Sequence, residues 1–244
     1  MKLVAFEHDQ QRRRGQLTDD GHIETQNGDG PFPITSVDIL PPCRPSKIIG
    51  AARNYYDEET ARAEEETPEH PLIFFKPPSS LVPPGGTVQI PGSSEIICEA
   101  ELGVVIDTPC RNVSTEEAFD HVRGYTCLDD VTAIHWGDRE NYGVRTKGMD
   151  TFCPVGPVLE TDVGQSEPEL NLTLEVNGDI IADSNTDMMI FGAAELISHI
   201  SQFMTLEPGD LIAAGAPPQN TVLEPDDSVA IDIEDIGQLE HDVA

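Results

Sequence analysis

The stretch Glu95-Ile96-Ile97-Cys98-Glu99-Ala100-Glu101-Leu102-Gly103-Val104-Val105-Ile106 decides how this chain reads. It is rich in β-branched residues, has no helical period, and predicts a long strand interrupted at Gly103. Side chains alternate along a strand, so Glu99 and Glu101 share one face while Cys98, Ala100 and Leu102 share the other. Two like charges side by side repel and raise each other's pKa, and a cation between them removes that cost. All-oxygen donors suit Mg²⁺, Mn²⁺ or Ca²⁺ rather than zinc or copper. In a chain this acidic the same spacing is also that of a solvated strand face, but the apolar run Leu102–Ile106 argues that the far end of the strand is buried. A third oxygen ligand is expected in Leu128-Asp129-Asp130-Val131-Thr132, after a predicted strand over Val122–Thr126. Neighbouring residues of an extended chain face opposite sides, so only one of Asp129 and Asp130 is expected to ligate. The alternative for that pair is a turn or a helix cap.

Outward from this centre the chain is punctuated by short apolar runs. Residues 1–45 read as a small β-rich unit and linker. Lys2–Phe6 and Arg14–Leu17 are predicted strands, Asp19-Asp20-Gly21 and Asn27-Gly28-Asp29-Gly30 carry turn chemistry, and Pro41-Pro42-Cys43-Arg44-Pro45 is a stiff connector. Residues 46–244 form the main domain. Ile48–Ala52 predicts a buried strand entering a helix-permissive, acidic segment, Asn54–Glu66. Val88–Pro91, Leu172–Val176, Leu206–Ala213 and Ser228–Ile233 predict further strands, and Asn177-Gly178 is a hairpin turn. Ser114 with Glu117 three residues on has the form of a capping box opening a helix over Ser114–Val122. Ala193–Gln202 has helical spacing. Many strands and two helices give an α+β, mainly β fold, largely antiparallel, with the helices peripheral.

Forty-five Asp and Glu stand against 14 Lys and Arg, a net charge of −31, and the acids are spread over the whole chain of 244 residues. This argues against an acidic disordered tail, because the acids are interleaved with apolar runs. A basic partner would need a local acidic patch. Adaptation to a salt-rich cytoplasm fits best, since concentrated salt screens self-repulsion to within a few Å. There is no basic stripe to neutralise phosphates, so nucleic acid is not an expected partner; Arg12–Arg14 is too short and is surrounded by acids. No apolar run is long enough to cross a bilayer, and Met1–Gln10 does not read as a signal peptide. The expected location is therefore cytoplasmic, with no membrane partner. The five Cys residues have no CxxC spacing and read as reduced and mostly buried.

Gly50–Tyr55 (GAARNY), Pro71–Ser80 (PLIFFKPPSS), Cys98–Leu102 (CEAEL), Gly124–Thr132 (GYTCLDDVT), Lys147–Gly156 (KGMDTFCPVG), Asn185–Phe191 (NTDMMIF) and Leu206–Gly215 (LEPGDLIAAG) occur in one order. In that order the chain, over about residues 47–239, resembles the fumarylacetoacetate hydrolase family. The resemblance implies a mixed β-sandwich roll, usually a homodimer, whose residues 46–244 make the catalytic domain. It implies a divalent cation, Mg²⁺ first with Mn²⁺ or Ca²⁺ as alternatives, held by Glu99, Glu101 and Asp130. It implies Lys147 as a catalytic charge beside a substrate carboxylate or enolate oxygen, with Thr151 completing a K-x-x-x-T pair. Arg53, Tyr55, Lys76, Thr151 and Gly215 are expected at the substrate. That substrate would be a small carboxylate-bearing keto acid or hydroxydienoate, undergoing isomerisation or tautomerisation, C–C hydrolysis or decarboxylation through a metal-stabilised enolate.

The departures from the family pattern fall in the substrate shell. The His usual after the Asn-Tyr motif is replaced by acidic residues, and Ala61 stands where its Glu partner would be. Glu58 is the expected base, with Asp57 and Glu59 as alternatives. Ile134 and His135 follow where an Arg is usual, and Trp136 stands beside that His. The late T-G-T-P loop reads Ala214-Gly215-Ala216-Pro217. These changes leave two outcomes: an enzyme with a different substrate, or a family protein that binds a keto acid or metal without turnover.

Overall fold

Strand Ala100–Ile106 is buried along its whole length. It lies between Val122–Asp129 on one side and Leu211–Ala213 on the other, antiparallel to both. The computed structural model describes residues 1–56, 68–92, 94–134, 143–162 and 166–244. The strand runs through Gly103, contrary to the expected interruption there. A Cβ at 103 would lie 2.9 Å from Thr126 Cγ2 and 3.2 Å from Leu211 Cδ1, so glycine lets three strands close up. The interruption falls instead at Cys98 and Glu99, after the short strand Ile96–Ile97.

These strands belong to a twelve-stranded sheet. Its main path runs Phe32–Pro33, His22–Thr25, Gln11–Leu17, Lys2–His8, Cys153–Glu160, Val122–Asp129, Ala100–Ile106, Leu211–Ala213, Ile48–Ala52, Leu72–Lys76. A five-stranded sheet orders Asp179–Asn185, Asn171–Val176, Ser228–Ile233, Gly237–Val243 and Thr87–Val88, and a three-stranded one joins Thr132–Ala133, Ile96–Ile97 and Val222–Leu223. Among the described residues, the named strands pair antiparallel except Leu211–Ala213 with Ile48–Ala52, Leu81–Val82 with Cys153–Glu160, and Thr87–Val88 with Gly237–Val243. The fold is thus mostly β, as the sequence predicts.

The main core draws on every layer, including Phe6, Leu102, Tyr125, Leu172, Ile197 and Ile231. The N-terminal strands join the large sheet through Lys2 opposite Glu160 and Leu3 opposite Leu159. Asn177 and Gly178 both take positive φ, 55° and 84°, as a tight hairpin between Asn171–Val176 and Asp179–Asn185 requires. Helix Ala193–Phe203 turns Leu196, Ile197 and Ile200 inward. Glu167 accepts from the Ala193 and Ala194 N–H groups at 2.8 Å each, placing an anion at the positive end of the helix. The other expected helix is only a short 3₁₀ turn, Ala118–His121. Ser114 N–H does reach Glu117 Oε2 at 3.1 Å, but nine residues carry too few turns to sustain a helix that buries only Ala118.

Asp210 ties the connector to the barrel-like centre. Its fully buried carboxylate accepts from Ser46 N–H (2.9 Å), Ser46 Oγ–H (2.7 Å), Lys47 N–H (3.2 Å) and Glu207 N–H (2.8 Å), and pairs with Lys47 Nζ. Burial alone would raise its pKa, but the Lys47, Glu207 and Ser46 hydrogen bonds outweigh it and hold the carboxyl below the usual aspartate range. Because the folded value is depressed, this contribution is complete above the ordinary aspartate pKa and is lost as pH falls through the folded value. Asp210→Ala is expected to lower the unfolding free energy by about 3 kcal/mol at neutral pH. Urea unfolding in concentrated KCl should show that gap from the parent shrinking as the solution is acidified.

Candidate functional site

Three carboxylates and two ammonium groups meet at the edge of Ala100–Ile106. Two local links fix the frame: Asp130 N–H donates to the Glu99 carbonyl at 3.0 Å, and Glu99 N–H donates to Asp129 Oδ1 at 2.8 Å. The break in the strand at Cys98 and Glu99 therefore locks Glu99 against the Asp129-Asp130 corner. Lys147, the last residue of the one-turn helix Val144–Lys147, points its Nζ at Glu99 Oε2 (2.6 Å) and also pairs with Asp130 Oδ2. Lys76 Nζ lies 2.5 Å from Asp130 Oδ1 outside hydrogen-bond geometry, and it donates to the Val131 carbonyl at 3.0 Å. Both side chains of that Lys76–Asp130 pair are fully buried. The Thr132 hydroxyl lies within reach of Glu99 Oε2 and of the Asp130 carbonyl.

The electrostatics divide these groups. Burial alone would raise the Asp130 carboxyl, but Lys147 and Lys76 hold it below its ordinary value. Burial alone would lower Lys147, but Asp130, Glu99 and Glu101 hold it above the ordinary lysine range, so it stays charged. Glu101 is the group left over. Burial, then the Asp130 charge, push its carboxyl well above the usual range, offset in part by Lys147 and by the Gly215 N–H that donates to Oε2 at 2.8 Å. Three carboxyls face two ammoniums in a water-poor place, and the raised Glu101 carboxyl is the one that favours its protonated form when no further cation is present.

Glu99, Glu101, Asp130, Lys76 and Lys147 are thus brought together, and Tyr55 adjoins them. Its hydroxyl is buried without a hydrogen-bond partner among the described residues, and burial, then the Glu101 charge, raise its pKa. Gly215 meets the cluster through its N–H, in a backbone conformation (φ +99°) where a Cβ would lie 2.5 Å from Asn54 Cβ. Asn54 in turn clamps this loop, donating to the Phe191 carbonyl at 2.8 Å and the Ala214 carbonyl at 2.7 Å. Two expected residues are elsewhere. The Thr151 hydroxyl accepts from Gln89 N–H at 2.9 Å, and Arg53 is exposed with no ion pair among the described residues. Glu58, with Asp57 and Glu59, and His135 with Trp136, lie outside the described residues.

Among the described residues no group of three or more His, Cys, Asp or Glu side chains is set to hold a metal ion. The Lys147 ammonium stands between Glu99 and Asp130 instead. The donor set nevertheless fits a hard divalent cation: every acid donor is an oxygen, and Glu101 is a buried carboxyl lacking a positive partner of its own.

Sequence reasoning missed His241. Its ring lies fully buried with Nε2 2.8 Å from Asp129 Oδ2. Adjacent aspartates thus take opposite duties: Asp130 faces the lysines, and Asp129 holds Glu99 through its N–H while leaning on His241. The signal was present in the alternation of the last strand, where Leu239, His241 and Val243 turn inward between exposed neighbours. His241→Ala leaves the buried Asp129 carboxyl without its ring partner. A stability loss on the order of 3 kcal/mol is expected, with part of it recovered by His241→Gln, which keeps a donor; equilibrium unfolding of the two variants checks this.

The site is thus a carboxylate–lysine cluster with a buried tyrosine beside it, set in a mostly β fold. The family model described as fumarylacetoacetate (FAA) hydrolase, C-terminal, matches residues 47–244, and the chain belongs to that family. Oxaloacetate tautomerase fahd2, mitochondrial, of Xenopus laevis is 38% identical over 216 residues, covering 84% of this chain and 67% of that protein. The solved structure of 5-carboxymethyl-2-hydroxymuconate delta-isomerase from Mycobacterium smegmatis superposes with a TM-score of 0.92 at 32% identity, covering 100% of this chain and 98% of that one. That of 2-hydroxyhepta-2,4-diene-1,7-dioate isomerase from Mycobacterium marinum gives 0.87 at 33% identity, covering 100% and 98%. No described helix is long and apolar enough to cross a membrane.

Proposed function

We propose that this chain is an isomerase or tautomerase of small keto acids or hydroxydienoates, working through an enolate and dependent on a divalent cation. The observation that supports the reading is the buried Glu101 carboxyl, pushed up beside Asp130 and Glu99 and answered by no ion pair of its own among the described residues, next to a lysine held in its charged form. Glu99, Glu101 and Asp130 would hold the ion, with Mg²⁺ first among hard cations and Mn²⁺ or Ca²⁺ as alternatives. Bound there, the cation supplies Lewis acidity toward a keto-carboxylate.

The remaining roles belong to the chain's own groups. Lys147, kept protonated by its carboxylate partners, orients a substrate carboxylate or enolate oxygen by charge and does not act as the base. The Tyr55 hydroxyl, neutral and lacking a partner, donates a hydrogen bond to a substrate oxygen where negative charge develops. The proton acceptor in this reading is Glu58. The likeness to proteins named as a tautomerase and as isomerases supports a proton shift over C–C cleavage. The same proposal includes a homodimer, supported by Leu72 and Phe75 exposed on the sheet-edge strand Leu72–Lys76, and a salt-rich cytoplasm, supported by the charge of −31.

A second reading, a scaffold that binds a keto acid without turnover, is favoured by Ala214 and Ala216, which remove two hydroxyls from the loop around Gly215. The two are separated by assaying oxaloacetate enol–keto conversion and 2-hydroxydienedioate isomerisation in concentrated KCl with Mg²⁺. Turnover is expected to vanish in Glu101→Ala and to drop on the order of 10²-fold in kcat in Tyr55→Phe. No turnover with metal bound, or full turnover in Glu101→Ala, would remove the first reading.

A further inference from the structure

We propose that the concave face carrying Arg12, Arg14 and Arg123 over a floor of Leu3, Ala5 and Leu159 binds a small polyanion, a molecule with at least two phosphate or carboxylate charges on a short carbon frame. It is a separate site, and the inference does not rest on the proposed activity.

The register of the N-terminal strands builds the face. Ala5 pairs with Arg14, Leu3 with Gln16, and Leu3 again with Leu159 across the neighbouring strand. Directly opposed residues project to the same side of a sheet. Short apolar side chains therefore form a floor with arginines standing around it, and a cavity of about 820 Å³ lies above.

The charge there inverts that of the chain. Acids outnumber bases 45 to 14 overall, yet Arg12, Arg13, Arg14 and Arg123 line this cavity against only Glu24 and Asp29. Asp29 is already engaged, with Arg13 at 3.3 Å and Asn27 at 2.9 Å. Arg123 has a distant carboxylate, Asp107, at 3.8 Å. Among the described residues no carboxylate makes an ion pair with Arg12 or Arg14, although Glu7 stands opposite Arg12 in the strand register.

Arg12 shows the deficit most directly. One terminal nitrogen donates to the Pro41 carbonyl at 2.6 Å, while its Nε is buried with no partner. Burial, then the neighbouring Arg44 and Arg14 charges, lower its pKa. A guanidinium partly buried among like charges is costly, and an oxyanion seated in the cavity would offset that repulsion. Guanidinium forks match phosphate and carboxylate oxygens in pairs, and the apolar floor accepts the carbon frame.

The test uses inorganic pyrophosphate as the probe, titrated calorimetrically into the full, metal-stripped protein at fixed ionic strength. One equivalent per chain is expected, with affinity falling as KCl rises. Arg12→Gln with Arg14→Gln should weaken it about tenfold or more, whereas a probe that had entered the carboxylate–lysine site instead would bind these variants as it binds the parent. Arg14→Gln alone, at an exposed side chain, provides a variant that keeps the fold should the double change fail. Absence of binding, or equal binding by the arginine variants, would overturn the proposal. So would a change of oligomeric state in Arg14→Gln by light scattering, which would assign the face to contact between copies of the chain.

Discussion

The ion pair that the site depends on is Lys147 between Glu99 and Asp130, backed by Lys76 on the far side of Asp130. Charges buried this deeply persist only when paired, because the interior cannot solvate them. Asp130 is stabilised twice over, so the strain of crowding passes to Glu101, whose carboxyl is raised while that of Asp130 is lowered. The local geometry makes this division unavoidable. Strand alternation puts Glu99 and Glu101 on one side, and the Glu99–Asp129 and Asp130–Glu99 backbone links bring the corner from the next strand against them. A proton-moving site needs groups of unlike proton affinity at close quarters, and a single buried lysine shared unevenly among three acids provides them.

Much of this was legible from the chain. The E-x-E pair on an apolar strand, the Asp-Asp corner and the Asn-Gly hairpin follow from period-two patterning and turn chemistry, which are local. What was not legible depended on contacts between distant segments. Gly103 read as a break because a missing Cβ looks like weakness in a strand; only the approach of Thr126 and Leu211 explains it. Ser114–Val122 had a start signal but no partner face to stabilise it. Lys76 could be placed near substrate from its motif, yet its pairing with Asp130 across 54 positions of sequence is a property of the sheet, not of its neighbours. His241 lies 112 positions along the chain from the residue it supports, with no motif around it.

Lysine usage joins the surface to the interior. The chain has only four lysines, and three of them face buried aspartates: Lys47 at Asp210, and Lys76 and Lys147 at Asp130. An ammonium on the surface of so acidic a protein would be one small correction to a large negative field and would be screened by salt. Inside, the same group sets the protonation of its partner and fixes two segments of chain, because little water competes. Three of the four lysines are thus placed where a positive charge has the most effect. The arginines follow a different rule. Arg12 and Arg14 make no ion pair with an acid among the described residues, although Glu7 stands opposite Arg12 in the strand register, and they cluster with Arg13 and Arg123 around one cavity. On that face the proposed polyanion would supply the countercharge that Lys47, Lys76 and Lys147 find within the chain.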